Sequence, residues 1–165
     1  MIKKTVKELN YEDFYKYGTY SAILSPKGIK FGNEHIEFYR DMIQLDMGQT
    51  STVSFSLCRI LKRELIIDTS EYHNYTGEMI MPIDCDILIH VGAAIDNDKV
   101  PVNDIEIYRI PKGTVVCIRP GVWHHAAFVY NCDEANILVA LPERTYKNDC
   151  HVIELDAEEQ IEIKL

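Results

Sequence analysis

The chain has 165 residues, 47% of them hydrophobic and 26% charged, the balance of one globular domain spanning residues 1–165 that buries about two thirds of the surface its unfolded chain would expose. Its net charge of −9, from 17 basic and 26 acidic residues, excludes a nucleic-acid surface or an anionic membrane as partner, since both need clustered Lys and Arg. It leaves room for a small anionic substrate, because one Arg in a pocket suffices for a carboxylate.

In chain order, the N-terminal M-I-K-K-T-V-K-E-L-N lacks the apolar core of a signal peptide. A short helix is expected at Tyr11 to Tyr17, capped by Asn10, with Glu12 and Asp13 in its first turn and Gly18 ending it. Strand patterns then follow at Glu37–Leu45, Thr52–Ile60, Glu64–His73, Glu78–Met81, Asp86–Val91, Asp104–Arg109, Thr114–Ile118, Val122–Tyr130, Asn136–Ala140 and Gln160–Lys164. Turn signals separate them at N-Y-T-G (74–77), P-K-G (111–113) and P-G (120–121). The segment Gly92 to Asn103 reads as a polar, exposed loop. The longest apolar stretch, Ile87 to Ile95, falls short of the ~20 residues of a membrane span and contains His90. The expected compartment is therefore the cytoplasm. Many short strands with hardly any helix indicate a closed barrel or a double-sheet sandwich, and the jelly roll suits this length.

Five cysteines, at 58, 85, 117, 132 and 150, form no C-x-x-C and their count is odd. A disulfide framework or thiolate zinc site is not expected. Cys58 and Cys117 lie in apolar runs and read as small core residues.

The chemistry gathers in two stretches. Downstream, Gly113 is followed by five residues, then Arg119, Pro120, Gly121, two more residues and His124. This is the second motif of the cupins, G-x5-P-x-G-x2-H, with Arg119 in place of the first proline. Two glycines bracket a strand and allow a tight return, so His124 can face the interior. Upstream, E-Y-H-N-Y-T-G-E supplies Glu71, His73 and Glu78 in the order of the first cupin motif, H-x-H-x3–4-E, with Glu at the first His position. Residues 71 and 73 share a strand face, and the turn after them lets Glu78 return to it. Glu71, His73, Glu78 and His124 are thus candidate ligands for a divalent metal, with Mn, Fe or Ni favoured over Zn because the donors are nitrogen and oxygen. Glu71 could instead serve as a general base. Arg119 is the candidate anchor for a substrate carboxylate, and Tyr75 and Trp123 are candidate substrate contacts. Trp123 could equally pack on the outer sheet. Alternation points His125 away from His124, toward the surface or a dimer contact. Arg59 is a weaker anchor candidate, and His90 and His151 read as structural.

The segments Y-H-N-Y-T-G-E-M-I-M-P, D-I-L-I-H-V-G-A-A and R-P-G-V-W-H-H-A-A-F-V-Y, with Y-E-D-F-Y-K-Y-G at Tyr11 and E-F-Y-R-D at 37–41, resemble the ureidoglycolate lyase family of the cupin superfamily. The resemblance runs, with gaps, from about Tyr11 to Leu155. It implies an all-β cupin double-stranded β-helix with a short N-terminal helix. It implies a homodimer that splits ureidoglycolate into glyoxylate and urea. Glu71 and His73 fall on the family's E-x-H, and Trp123, His124 and His125 on its W-H-H, which makes Glu71 and His124 the catalytic candidates. The chain departs from the family's tendency to Gln at position 78 and Pro at 126, carrying Glu78 and Ala126. Another metal-dependent cupin enzyme, of the sugar isomerase or dioxygenase type, and a non-catalytic ligand-binding cupin are the alternative readings.

Overall fold

Apolar residues recur with a period of two through most of the chain. In the computed structural model, which describes residues 1–96 and 98–165, these runs become strands. β1 (Ile2–Glu8) leads into α1 (Tyr11–Phe14), followed by β2 (Gly18–Ala22), β3 (Lys30–Gly32), β4 (Glu37–Tyr39), β5 (Val53–Leu61), β6 (Ile66–Ile67), β7 (Thr69–Tyr72) and β8 (Glu78–Pro82). Then come β9 (Ile87–Val91), β10 (Glu106–Ile110), β11 (Thr114–Ile118), β12 (Phe128–Val129), β13 (Glu134–Pro142), α2 (Thr145–Asn148), β14 (His151–Glu154) and β15 (Ile161–Lys164). One sheet runs β12-β9-β10-β1-β15-β6 and the other β2-β11-β8-β13-β5, with small pairs β14-β7 and β3-β4. Two sheets closing on a side-chain core make the cupin jelly roll that the strand pattern implies. No helix among the described residues is long and apolar enough to cross a membrane.

Register decides which side chains meet inside. In the second sheet Ile80 pairs with Val116 and Val139, and Ile137 with Cys58. Ile80, Val116, Ile118, Ile137, Val139 and Ile60 therefore project into one interior, where Ile87, Ile89 and Val91 of β9 meet them. The opposite face of β9 carries Leu88 into a second apolar cluster with Ile107, Trp123, Phe128, Ile161 and Ile163. β1 lies between β10 and β15, parallel to both, and helps close this outer cluster.

Several expected elements are shorter or shifted. Asn10 does cap α1, its side chain accepting from the Asp13 amide, but the helix ends at Phe14. Gly18 instead opens β2, where any side chain would strike the Cys117 carbonyl of β11. Of Glu37–Leu45 only β4 is strand, and of Val122–Tyr130 only β12. The expected loop Gly92–Asn103 holds no named strand among its described residues, and Asn97 lies outside them. β1, β2, β3 and β14 have no counterpart in the sequence expectation. The disulfide expectation is also corrected. Cys85 and Cys132, whose Cα atoms are 6.7 Å apart, are joined, which ties the β8–β9 turn to the loop before β13.

The same turn is held electrostatically. Asp86 accepts from Arg109 Nε at 3.0 Å, Arg109 Nη2 at 2.7 Å and the Lys112 amide at 2.8 Å. Burial raises its pKa, but the bonds from Lys112 and Arg109 outweigh that and hold it below the usual Asp value. A depressed folded-state pKa stabilises above the unfolded value near 3.8 and is lost as pH falls through the folded one. Asp86→Asn is therefore expected to cost about 1–3 kcal/mol at neutral pH, and urea unfolding below pH 4 should show the gap to wild type closing. A constant gap would place the loss in packing.

Candidate functional site

Main-chain hydrogen bonds bring the two motif stretches together. Glu71 and His124 exchange both backbone bonds, at 2.6 and 2.8 Å, and the Gly121 amide donates to the His73 carbonyl at 2.6 Å. Trp123 pairs in turn with Gly92. Residues 121–124 are thus stitched to two different partners. Gly121 makes the entry with φ 78°, a left-handed conformation that a β-carbon disfavours. This irregular path replaces the expected strand and upsets its alternation.

His73, Glu78 and His124 converge, their ligand atoms all lying within 4.8 Å of one another. Glu78 Oε2 is 3.1 Å from His73 Nε2 and 3.3 Å from His124 Nε2. Both rings are buried. Each has its other nitrogen committed, His73 Nδ1 to the Asp149 carbonyl at 2.6 Å and His124 Nδ1 to the Val122 carbonyl at 2.8 Å. A carbonyl only accepts, so both Nδ1 atoms carry protons. In the neutral rings, two Nε2 lone pairs then face one carboxylate oxygen. Three electron-rich atoms aimed at one point fit a divalent cation, with the second-shell carbonyls setting the tautomers as they do in metal sites. In the metal-free protein protons take that role. Burial alone would raise the Glu78 pKa, but bonds from His124 and His73 hold it at about 2. Burial would lower that of His124, yet the Glu78 carboxylate raises it.

Glu71 does not join this trio. Its paired register with His124 keeps it on the same side, but its carboxylate accepts from Cys150 Sγ at 3.1 Å. Burial and the Glu71 carboxylate push the Cys150 thiol up to about 12. His125 is the residue that the sequence underrated. It lines a cavity of about 40 Å³ with Glu78, His124, Cys58, Ile89 and Ile137. Burial lowers its pKa, with Glu71 opposing. Only the break in alternation between Trp123 and His125 turns it inward, and a two-residue period hides such a break.

The other candidates lie apart. Arg119 is exposed, stacks its guanidinium 4.3 Å over Tyr15, and borders a cavity of about 730 Å³ with Asp41, Asp46 and Tyr20. That cavity is far larger than the one at the trio, but it holds no comparable convergence of ligating groups. Tyr75 is exposed beside Gly48 and Pro142. Trp123 is 1% exposed and packs against Tyr72, ring centroids 4.5 Å apart, in the outer cluster. Arg59 reaches Asn136 Oδ1 at 3.1 Å. His90 is buried with Nε2 3.1 Å from Ser70 Oγ, and burial with His124 and His125 nearby lowers its pKa to about 3. His151 stacks on Tyr72 at 4.7 Å.

The sequence model of a family described as ureidoglycolate lyase matches residues 1–163. No curated protein matches the chain. Among solved structures, a dTDP sugar isomerase from Desulfovibrio desulfuricans G20 is similar at 15% identity and TM-score 0.53, over 86% of this chain and 87% of that one. A 3,4-ketoisomerase from Thermoanaerobacterium thermosaccharolyticum is similar at 10% identity and TM-score 0.47, over 80% and 84%. The isomerase likeness shows the fold.

If the trio holds a cation, Glu78→Gln and His124→Ala should each weaken Ni²⁺ or Mn²⁺ binding by more than about tenfold, read by titration calorimetry and by elemental analysis of protein purified without chelator. Glu71→Gln should change it far less. Equal losses in all three variants would return Glu71 to the ligand set.

Proposed function

This chain belongs to the ureidoglycolate lyase family, whose model covers residues 1–163, and from that membership we propose that it cleaves ureidoglycolate into glyoxylate and urea. The family match over nearly the whole chain carries this reading. The buried His73, Glu78 and His124 trio supports it with a site of suitable chemistry.

The substrate carries hydroxyl, ureido and carboxylate groups on one carbon. Cleavage removes the hydroxyl proton, breaks the bond from that carbon to nitrogen, forms the aldehyde carbonyl and returns a proton to the leaving urea nitrogen. His73, Glu78 and His124 would hold a divalent cation, Ni, Mn or Fe, which would supply Lewis-acid chemistry at the substrate hydroxyl. Glu71, outside the ligand trio and hydrogen-bonded to Cys150, is the base that takes the hydroxyl proton. The same carboxyl then returns it to the urea nitrogen. The lining of the small cavity holds no Arg or Lys. In this reading carboxylate binding would fall to a group held by the trio, while Arg119 stacks on Tyr15. The cavity of about 40 Å³ suits an ion and water, and His125 lines it beside Glu78 and His124.

The chain acts as a homodimer in this reading. β5 is an edge strand, and Phe55 and Leu57 on it are 66% and 60% exposed. Phe31 and Phe38 of the β3–β4 hairpin are exposed as well, and a lone two-stranded hairpin is marginal in water unless something covers it. An exposed strand edge carrying large apolar side chains is normally paired or covered.

Purified protein with added Ni²⁺ or Mn²⁺ should release glyoxylate from ureidoglycolate. Glu71→Gln should lower kcat by about 10²–10⁴-fold with metal still bound, and His124→Ala should lose both. Metal binding without glyoxylate would keep the site and discard the substrate. Light scattering on a sizing column should give twice the chain mass, and Phe55→Asp with Leu57→Asp should give the monomer. A monomeric wild type would sink the dimer.

A further inference from the structure

We infer that Asp149 is a positioning residue for the metal-ligating trio, setting both the tautomer of His73 and the turn that delivers Glu78. The inference rests on reading His73, Glu78 and His124 as the working site. Asp149 follows α2 and is 6% exposed. Its amide donates to the Thr145 carbonyl at 2.8 Å, which anchors it to that helix. Its carbonyl takes the His73 Nδ1 proton. Its carboxylate grips the turn between the two ligands. Oδ1 accepts from the Asn74 amide at 2.7 Å, and Oδ2 from the Tyr75 amide at 2.9 Å and Thr76 Oγ1 at 3.4 Å.

One residue thus meets every position from 73 to 76. The bonds to the Asn74 and Tyr75 amides are charge-assisted and come from both oxygens of one carboxylate. That fixes the plane of the turn, and with it the direction from which Glu78 enters the cavity. The carbonyl bond leaves only Nε2 of His73 to face Glu78. His124 obtains the same tautomer from the Val122 carbonyl beside it in sequence. His73 obtains it from a residue 76 positions away. The trio is therefore coupled to α2, and a shift of this short helix would disturb His73 and Glu78 and spare His124.

An amide at 149 has one oxygen where the carboxylate has two and turns an NH₂ group toward a backbone N–H. Asp149→Asn should break one of the two backbone grips while keeping size and shape. The first readout is the ring tautomer in metal-free protein, from long-range ¹H–¹⁵N spectra at a pH where the rings are neutral. Wild type should show Nδ1–H at both His73 and His124. In Asp149→Asn, His73 should become a mixture of tautomers while His124, the internal control, is unchanged. The second readout is Ni²⁺ titration, where the variant should bind about 10–100-fold more weakly while unfolding cooperatively near the wild-type temperature. Nε2–H at His73 in the wild type would overturn the inference even if the variant failed to fold. So would a folded variant with wild-type tautomers and wild-type Ni²⁺ affinity. The tautomer readout needs neither metal nor substrate, so failure of the lyase reading would leave it standing or falling by itself.

Discussion

Three main-chain hydrogen bonds hold the segment of Glu71 and His73 against that of Gly121 and His124, and the site exists because of them. Side chains this far apart in sequence meet only if their backbones do. The bonds come from an isolated bridge and a glycine turn, not from a long ladder. That irregularity is useful. A regular strand through 122–125 would have sent His124 and His125 to opposite faces, whereas the observed path lets both border the cavity with Glu78.

Fixed backbones then fix protons. Two imidazoles donate from Nδ1 to carbonyls, so in the neutral rings the Nε2 lone pairs face Glu78 and whatever stands between them. Burial raises the stakes, because an uncompensated carboxylate in an apolar wall of Ile80, Ile89 and Ile137 would be costly. The apolar interior and the polar trio thus depend on each other. The core excludes water and sharpens the site, and the trio neutralises the charge that the core could not bear alone.

The site is also divided in labour. The Asp149 and Val122 carbonyls back the two rings of the trio, while Glu71 keeps its carboxylate outside, against Cys150. A carboxylate spent on a metal cannot also carry a proton, and the proposed reaction therefore depends on the separation of Glu71 from Glu78. The shell behind the trio comes from the C-terminal part of the chain, through Asp149 and Cys150, beyond either motif.

The sequence alone determined the all-β class, the order of most strands, and the candidacy of the three residues His73, Glu78 and His124 that cluster. Alternation and turn residues are local properties, and the spacing G-x5-x-x-G-x2-H encodes a strand, a turn and a return within a dozen or so residues. It also put Glu71 and His73 two residues apart on one stretch, and the structure pairs Glu71 with His124. Only the tertiary structure decided which donors share a point. Glu71 bonds Cys150, a partner 79 residues away, while His73, Glu78 and His124 cluster. Arg119 stacks on Tyr15 and Trp123 packs against Tyr72. His125 entered because a broken alternation turned it inward, β1 became a strand because β10 and β15 flank it, and Cys85 met Cys132 across a separation of 47 residues. Each of these outcomes depends on contacts between distant segments, and no local pattern in a sequence records who the distant neighbour will be.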